Sequence, residues 1–329
     1  MNYRPLGNTG LQVSEIGFGC GDVGGLMVRG ERIDQVKAVA RAMELGINYF
    51  DTASSYGGGQ SETNLGHVLK ELSADVYVGT KFRVTTNEPG HIRGNVIASV
   101  EESLTRMQRE QVDLIQLHNH VASTGGDGSV TPEEVLGEVV DAMRDLRDQG
   151  KVRFWGMTAV GETESLHRVI DSAALNCVQS VYNLVNPSSG SDVPSGFDMH
   201  DFGNLIGRAS ANGMGVLVIR VLAAGALTGE AVRHPVAVPT VAPIGSGRDY
   251  NQDLSRADGF RFLVQDGHVD SLVEASLRFA LSNAGVSSVL VGYSSLEHLE
   301  QAVDYAARGP LPSGAMTRLP GVWAGFGGS

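Results

Sequence analysis

Val112-Asp113-Leu114-Ile115-Gln116-Leu117-His118 opens the stretch that decides the fold, and Phe154-Trp155-Gly156-Met157 closes it. Between these apolar runs stand Thr131-Pro132-Glu133-Glu134, then Val135, Val139, Ala142, Met143 and Leu146, then Gly150. Thr131 is a natural N-cap. Pro132 takes the first turn, where its missing N–H is not needed, and Glu134 completes a capping box. The apolar residues that follow share one helical face, and Gly150 suits the stop after a helix. The stretch reads strand, helix, strand.

The same unit recurs on both sides. Short apolar runs occupy 13–18, 48–50, 76–79, 112–117, 154–157, 177–181, 215–219 and 288–291. Several are rich in Val and Ile, as strands buried on both faces require. A helical pattern follows each. Ile33, Val36, Ala40 and Met43 mark the first, and Ser294-Ser295-Leu296-Glu297 is a capping-box start for the last, which runs to about Ala307. Eight such units predict an α/β chain folded as a (β/α)8 TIM barrel, one domain spanning 1–329. A doubly wound sheet would carry a Gly-rich turn leading straight into a helix. Here Gly24-Gly25 and a Met follow Gly17-Phe18-Gly19-Cys20-Gly21 before any helix begins. Segments 119–131, 186–204, 230–268 and the tail 308–329 break the pattern and read as irregular. The first three fall on the C-terminal face, where barrel sites form.

Composition narrows the function. The 329 residues hold 25 Lys+Arg against 37 Asp+Glu, a net charge of −12. That balance argues against nucleic-acid binding and against a polybasic membrane anchor. Cys20 and Cys177 are the only cysteines, which excludes a disulfide scaffold and fits a reducing compartment. The opening residues lack an apolar signal region, and no apolar run reaches the length of a membrane span. A cytoplasmic protein acting on small molecules is the expectation; oligomeric state is left open.

The ends of three adjacent strands place Asp51, Tyr56, Lys81 and His118 toward one face. A phenol titrates too high for acid–base work near neutrality unless its anion is stabilised. A neighbouring ammonium does that, and a carboxylate holds the ammonium. A histidine beside the phenol orients a carbonyl or relays the proton. The task implied is proton delivery to an oxygen that becomes a hydroxyl. The accompanying hydride must come from a nicotinamide, since no side chain supplies one.

Phe50-Asp51-Thr52-Ala53 with Tyr56-Gly57, then Gly66, Thr80-Lys81 and Asp113-Leu114-Ile115-Gln116-Leu117-His118, resembles the aldo-keto reductase superfamily. Leu6-Gly7-Asn8-Thr9-Gly10, Gly17-Phe18-Gly19 and Leu146-Arg147-Asp148-Gln149-Gly150-Lys151 extend the likeness to nearly the whole chain. The resemblance implies Tyr56 as general acid/base, tuned by Lys81 and Asp51, with His118 orienting the carbonyl. It implies NADPH or NADH bound across the C-terminal face. Thr158 and Gln179 then stand where the family holds the nicotinamide carboxamide, with Ala159 in place of its usual Asn. Ile219 would give an apolar platform in place of the usual aromatic, with Arg220 and Leu222 beside it and Gly19 at the end of strand one. Gly292, Ser294 and Ser295 form the phosphate-proximal turn. Members specific for NADP place Lys or Arg there; Gly292–Gln301 contains neither, and His298 is the nearest substitute. That tips the expectation toward NAD. Cys20, His120 and Trp323 are candidate pocket residues, with Trp323 and Phe326 on a mobile tail able to close over substrate. No metal is expected, although His118 and His120 are two apart. Two alternatives stay open: a nicotinamide-nucleotide-binding regulatory subunit with little turnover, as some channel-serving relatives are, and a Schiff-base lyase using Lys81.

Overall fold

Eight parallel strands close into a barrel in which the last pairs with the first. They are β1 (Ile16–Gly19), β2 (Tyr49–Asp51), β3 (Tyr77–Phe82), β4 (Val112–Leu117), β5 (Val152–Thr158), β6 (Cys177–Val181), β7 (Gly215–Ile219) and β8 (Ser288–Gly292). The computed structural model describes residues 1–85, 88, 90–230 and 232–326. The helices around the barrel are α1 (Arg32–Glu44), α2 (Gln60–Glu71), α3 (Ile92–Met107), α4, α5 (Thr163–Asp171), α6 (Leu205–Ala211), α7 (Leu272–Leu281) and α8 (Leu296–Ala307). α4 starts as Pro132–Glu134, passes a π turn at Val135–Val139 and continues as Val140–Asp148. The Thr131–Glu134 capping box forms in both directions, and all five apolar residues named for this helix are buried. Among the described residues no helix is long and apolar enough to cross a membrane.

The run at 13–18 is two elements rather than one strand. Gln12–Ser14 pairs antiparallel with Tyr3–Pro5, and the barrel strand begins only at Ile16. Glu15 makes the break: its carboxylate accepts from Asn2 Nδ2 at 3.0 Å and lies 3.6 Å from Arg4. The hairpin closes the N-terminal end of the barrel. Its Leu6, Leu11 and Val13 pack on Tyr49, Leu114, Cys177, Leu217 and Leu290 inside. Gly79 makes this layer possible, because a Cβ there would overlap the Tyr49 hydroxyl.

Three other expectations shift. The inward face of α1 is Gln35, Ala38, Val39 and Ala42, while Ile33 is 62% exposed. Small residues let the helix approach the sheet closely, and that decides burial more than side-chain apolarity does. The last helix is capped by Ser295, which accepts from the His298 N–H at 3.4 Å; Ser294 instead donates to the Gly24 carbonyl at 2.7 Å. The segment 230–268 is not all loop. Asp249 caps a helix over Tyr250–Asp258, and Phe262–Gln265 adds a turn. The tail is helical at Ser313–Met316 and Leu319–Ala324. In 119–131, His120–Val121 pairs with Ser129–Val130.

Candidate active site

Alternation inside the barrel decides what lies above the apolar layer. Two residues beyond Tyr49, Leu114 and Cys177 come Asp51, Gln116 and Gln179, on the same inner side. The ladder sets Lys81 opposite Gln116 and Asp51 opposite Gly79. Asp51, Lys81, Gln116, Thr158 and Gln179 form a polar layer at the C-terminal end, all buried.

Asp51 is its centre. One carboxylate oxygen accepts from Lys81 Nζ. The other accepts from Gln179 Nε2 at 2.7 Å, Gln116 Nε2 at 3.2 Å and the Tyr49 hydroxyl at 3.3 Å. Lys81 Nζ also donates to the Thr52 carbonyl at 2.7 Å. Burial pulls the ammonium toward neutrality, but the Asp51 carboxylate and the Tyr56 phenol outweigh it, and its pKa is raised. Lys81 is therefore a fixed cation at 1% exposure, compensated by a carboxylate, as a charge in such a place must be. An amine held in this form is not a free nucleophile, which counts against Schiff-base chemistry.

Tyr56 stands directly above. It opens a tight turn over Tyr56–Gly59 in which Gly57 and Gly58 take φ of 58° and 60°, angles that suit glycine. The Gly57 N–H donates to Asp22 Oδ2 at 3.2 Å. This turn leaves the ring half exposed, with Lys81 Nζ 4.8 Å from its centroid and the His118 ring edge-on at 6.0 Å. Burial, then the charges of Lys81 and Arg83, push the His118 imidazole down to about 3. His118 is neutral near pH 7 and offers a hydrogen bond rather than a charge. The four residues expected at the centre are thus brought together: a half-buried phenol, a buried cation beneath it and a neutral imidazole at its side. That arrangement can exchange a proton with an oxygen held against Tyr56 and His118.

Other expected residues take different places. Cys20 is 1% exposed, with its thiol against the Phe18 carbonyl at 3.8 Å; burial raises its pKa, and it packs beneath the site rather than lining it. Gln179 spends its amide on Asp51, and its carbonyl accepts from Thr158 Oγ1 at 3.2 Å. Both belong to the polar layer rather than to an open carboxamide cradle. Trp323 does not lie over the pocket. It is 4% exposed, donates to the Leu184 carbonyl at 2.8 Å and packs on Phe279, so the tail is seated against the barrel. The reason is that an indole can satisfy its N–H while burying its rings. Phe326 packs on Phe260, with Arg256 across its ring. His120 is exposed, and its charge acts on His200, so segments 119–131 and 186–204 meet there. Among the described residues no group of three or more His, Cys, Asp or Glu could hold a metal ion.

Around the rim, Gly19 ends β1 so close to β8 that a Cβ would meet the Val291 carbonyl at 2.9 Å. Ile219 is half-buried against the inner apolar layer and Leu222 is half-buried at the turn after β7. Gly292 is exposed at the end of β8. Neither Ser294 nor Ser295 keeps a free hydroxyl proton: the first serves Gly24, the second the Glu297 carboxylate. His298 lies edge-on to His234, ring centroids 5.8 Å apart. Sequence reasoning missed Gln116 and Arg233. A glutamine at an inward position of a buried strand, two residues beyond Leu114, was the available signal for the first. Arg233 donates to the carbonyls of Val238 and Ala224, both at 2.7 Å, and brings the loop after β7 across toward Val23. No local pattern marks it.

The model of the aldo/keto reductase family matches residues 15–324. The chain belongs to this family. Its members are generally NAD(P)-dependent oxidoreductases of carbonyls and alcohols. L-galactose dehydrogenase of Arabidopsis thaliana is 30% identical over 312 residues, covering 92% of this chain and 87% of the relative. A probable voltage-gated potassium channel subunit beta of Oryza sativa subsp. japonica is 27% identical, covering 89% and 87%. The holo form of aldo-keto reductase AKR11C1 from Bacillus halodurans shares the fold, with a TM-score of 0.72 at 22% identity over 98% of this chain and 96% of that one.

The donors at the rim fit a dinucleotide in part. The exposed Gly292 backbone, the first turn of α8 and the Arg233 loop converge on one edge of the mouth. The carboxylate of Glu297 stands in that first turn, its pKa lowered chiefly by a backbone N–H. A negative charge there suits ribose hydroxyls better than a further phosphate.

Proposed function

We propose that this protein interconverts a carbonyl and an alcohol with NAD(P)(H), and that Tyr56 is the proton-transfer group. The observation that carries the reading is the placement of Tyr56 over a cation, Lys81, held beneath it by Asp51. The bound nicotinamide supplies or accepts the hydride. The chain's own residues do the rest. His118 and the Tyr56 hydroxyl orient the carbonyl oxygen. Tyr56 gives that oxygen its proton in reduction and takes it back in oxidation. The Lys81 ammonium lowers the cost of the phenolate between the two events, and the three neutral donors on Asp51 keep the ammonium in place. Gly292, α8 and Arg233 would hold the dinucleotide. The Glu297 carboxylate and the absence of Lys and Arg from Gly292–Gln301 support NAD over NADP, and with it the oxidative direction on a sugar-like or other alcohol substrate. The cytosol and a single-domain architecture complete the reading.

The test is parallel titration with NADH and NADPH, followed by quenching of the fluorescence of Trp155 and Trp323, and a turnover panel of aldehydes, ketones and sugars. NADH preference with turnover, abolished by Tyr56→Phe while NADH affinity persists, is the expected result. General acid–base catalysis contributes about 10²–10⁴-fold, and a loss of that order is expected. Tight binding without turnover on any substrate would favour a role like that of the channel-subunit relative. Binding of neither nucleotide would sink the oxidoreductase reading.

A further inference from the structure

Strand β7 carries a break in its own logic. Leu217 and Ile219 point into the barrel. Alternation would send Arg220 outward, among the helices. Instead Arg220 takes φ of 57°, a left-handed conformation that a residue with a Cβ rarely adopts, and Ala223 and Ala224 follow at 45° and 58°. The turn is held from outside: Asn183 Nδ2 donates to the Arg220 carbonyl at 2.9 Å, while Asn183 Oδ1 accepts from the N–H groups of Val185 and Asn186. Strain fixed in this way at the mouth of a site marks a side chain that has been aimed.

The guanidinium so placed is half-buried, at the end of β7 on the C-terminal face that also carries Tyr56. Among the described residues its hydrogen bonding is a single contact, Nη1 to the Ala242 carbonyl at 3.2 Å, and no carboxylate stands within ion-pair distance of it. The acidic group that acts on it, Asp253, is engaged by Ser246 Oγ at 2.7 Å and the Gly247 N–H at 2.8 Å. Its other charged neighbour, Arg233, adds a second cation. A guanidinium presents five donors in a planar fork, and a partly desolvated one without a counter-charge is costly. A chain of net charge −12 thus keeps a positive charge without an ion-pair partner at the mouth of the barrel.

We infer that Arg220 is a specificity-determining residue that selects carbonyl or alcohol substrates bearing an anionic group, a carboxylate or phosphate, near the reacting carbon. This rests on Tyr56 being the proton-transfer group. The same fork chemistry would also suit the diphosphate of the dinucleotide. The strand register favours the substrate: Leu217 pairs with Gln179, which holds Asp51, so Arg220 stands only three residues beyond the Asp51 layer over which Tyr56 sits, whereas a ribose separates the diphosphate from the nicotinamide ring.

Benzoate and benzamide, alike in shape and different in charge, are the probes. Each is titrated by fluorescence into wild type, Arg220→Gln, Arg220→Lys and Arg220→Gly, with and without saturating NADH. Wild type is expected to bind benzoate at least about tenfold more tightly than benzamide, since charge-assisted contacts to an anion are among the strong ones. R220Q and R220G lose that difference, R220K keeps part of it, and NADH affinity holds in all four. R220G is the decisive variant. Glycine relieves the φ of 57°, so its Tm should equal or exceed wild type while selection disappears, which loss of a merely structural arginine would not produce. Equal binding of benzoate and benzamide by wild type overturns the proposal. A fall in NADH affinity in R220Q without loss of benzoate selection also overturns it, in favour of the diphosphate. Failure of wild type to bind NADH at all would break the oxidoreductase reading instead, and the cofactor-free titration still decides for or against an anion site.

Discussion

The barrel interior has two layers built on the same strands. At the closed end Tyr49, Leu114, Cys177, Leu217 and Leu290 meet the hairpin residues Leu6, Leu11 and Val13 in a layer made mostly of apolar side chains. Two residues further along β2, β4 and β6 the same inward positions carry Asp51, Gln116 and Gln179, joined to Lys81. The first layer is held by excluded water and close contact. The second is a desolvated charge pair that survives because both Asp51 oxygens are engaged, one by Lys81 and the other by three neutral donors. The difference teaches that stability and chemistry are separated along each strand by a single alternation step.

Breaking the upper layer should give the largest effect. Lys81→Met removes the cation beneath Tyr56 and leaves Asp51 buried without its charge partner. Turnover should fall about 10²–10⁴-fold, and loss of one member of a buried pair costs about 3–5 kcal/mol. Steady-state kinetics with a urea titration measure both, and a variant with near-normal turnover would remove Lys81 from the mechanism.

Breaking the lower layer should do the reverse. Leu217→Ala opens a cavity under the site and should cost about 2–5 kcal/mol, with kcat/KM unchanged. If activity fell in step with stability, the two layers would not be separable.

A third test concerns His118, which sits at the mouth beside Tyr56. Its folded pKa, about 3, lies below the ordinary value of 6.5 for histidine. Between those values the unfolded chain binds the proton and the folded one does not, so stability contributed by this group is full above 6.5 and is lost as pH falls. His118→Phe cannot titrate, and its Tm should decline less steeply from pH 7 to pH 4.5 than that of wild type. Parallel declines would mean that burial does not hold the imidazole neutral.

The smallest effect is expected far from both layers. Thr131→Ala removes one half of the α4 capping box and should cost about 1 kcal/mol, with activity intact.

Much of this was legible in the residues. The eight runs, the α4 cap and the meeting of Asp51, Tyr56, Lys81 and His118 follow from periodicity and from where strands end. What escaped has a physical cause in each case. Glu15 splits an apolar run because its partners, Asn2 and Arg4, are set by the hairpin. Ile33 faces solvent because α1 approaches the sheet through alanines. Gln179 turns to Asp51 and Trp323 to the Leu184 carbonyl, contacts across 128 and 139 residues that no local spacing encodes. The left-handed Arg220 is of the same kind, since its conformation depends on Asn183, from the loop after the neighbouring strand.

The hairpin at the closed end also orders events in time. Arg4 reaches the carbonyls of Leu281 at 2.9 Å and Val286 at 3.0 Å, at the junction of α7 and β8. During synthesis Arg4 therefore waits for partners that lie 277 and 282 residues further along the chain. The barrel is sealed only once β8 has been made, and a stalled nascent chain that ends before β8 would present Leu6, Leu11 and Val13 to chaperones as an open apolar flap.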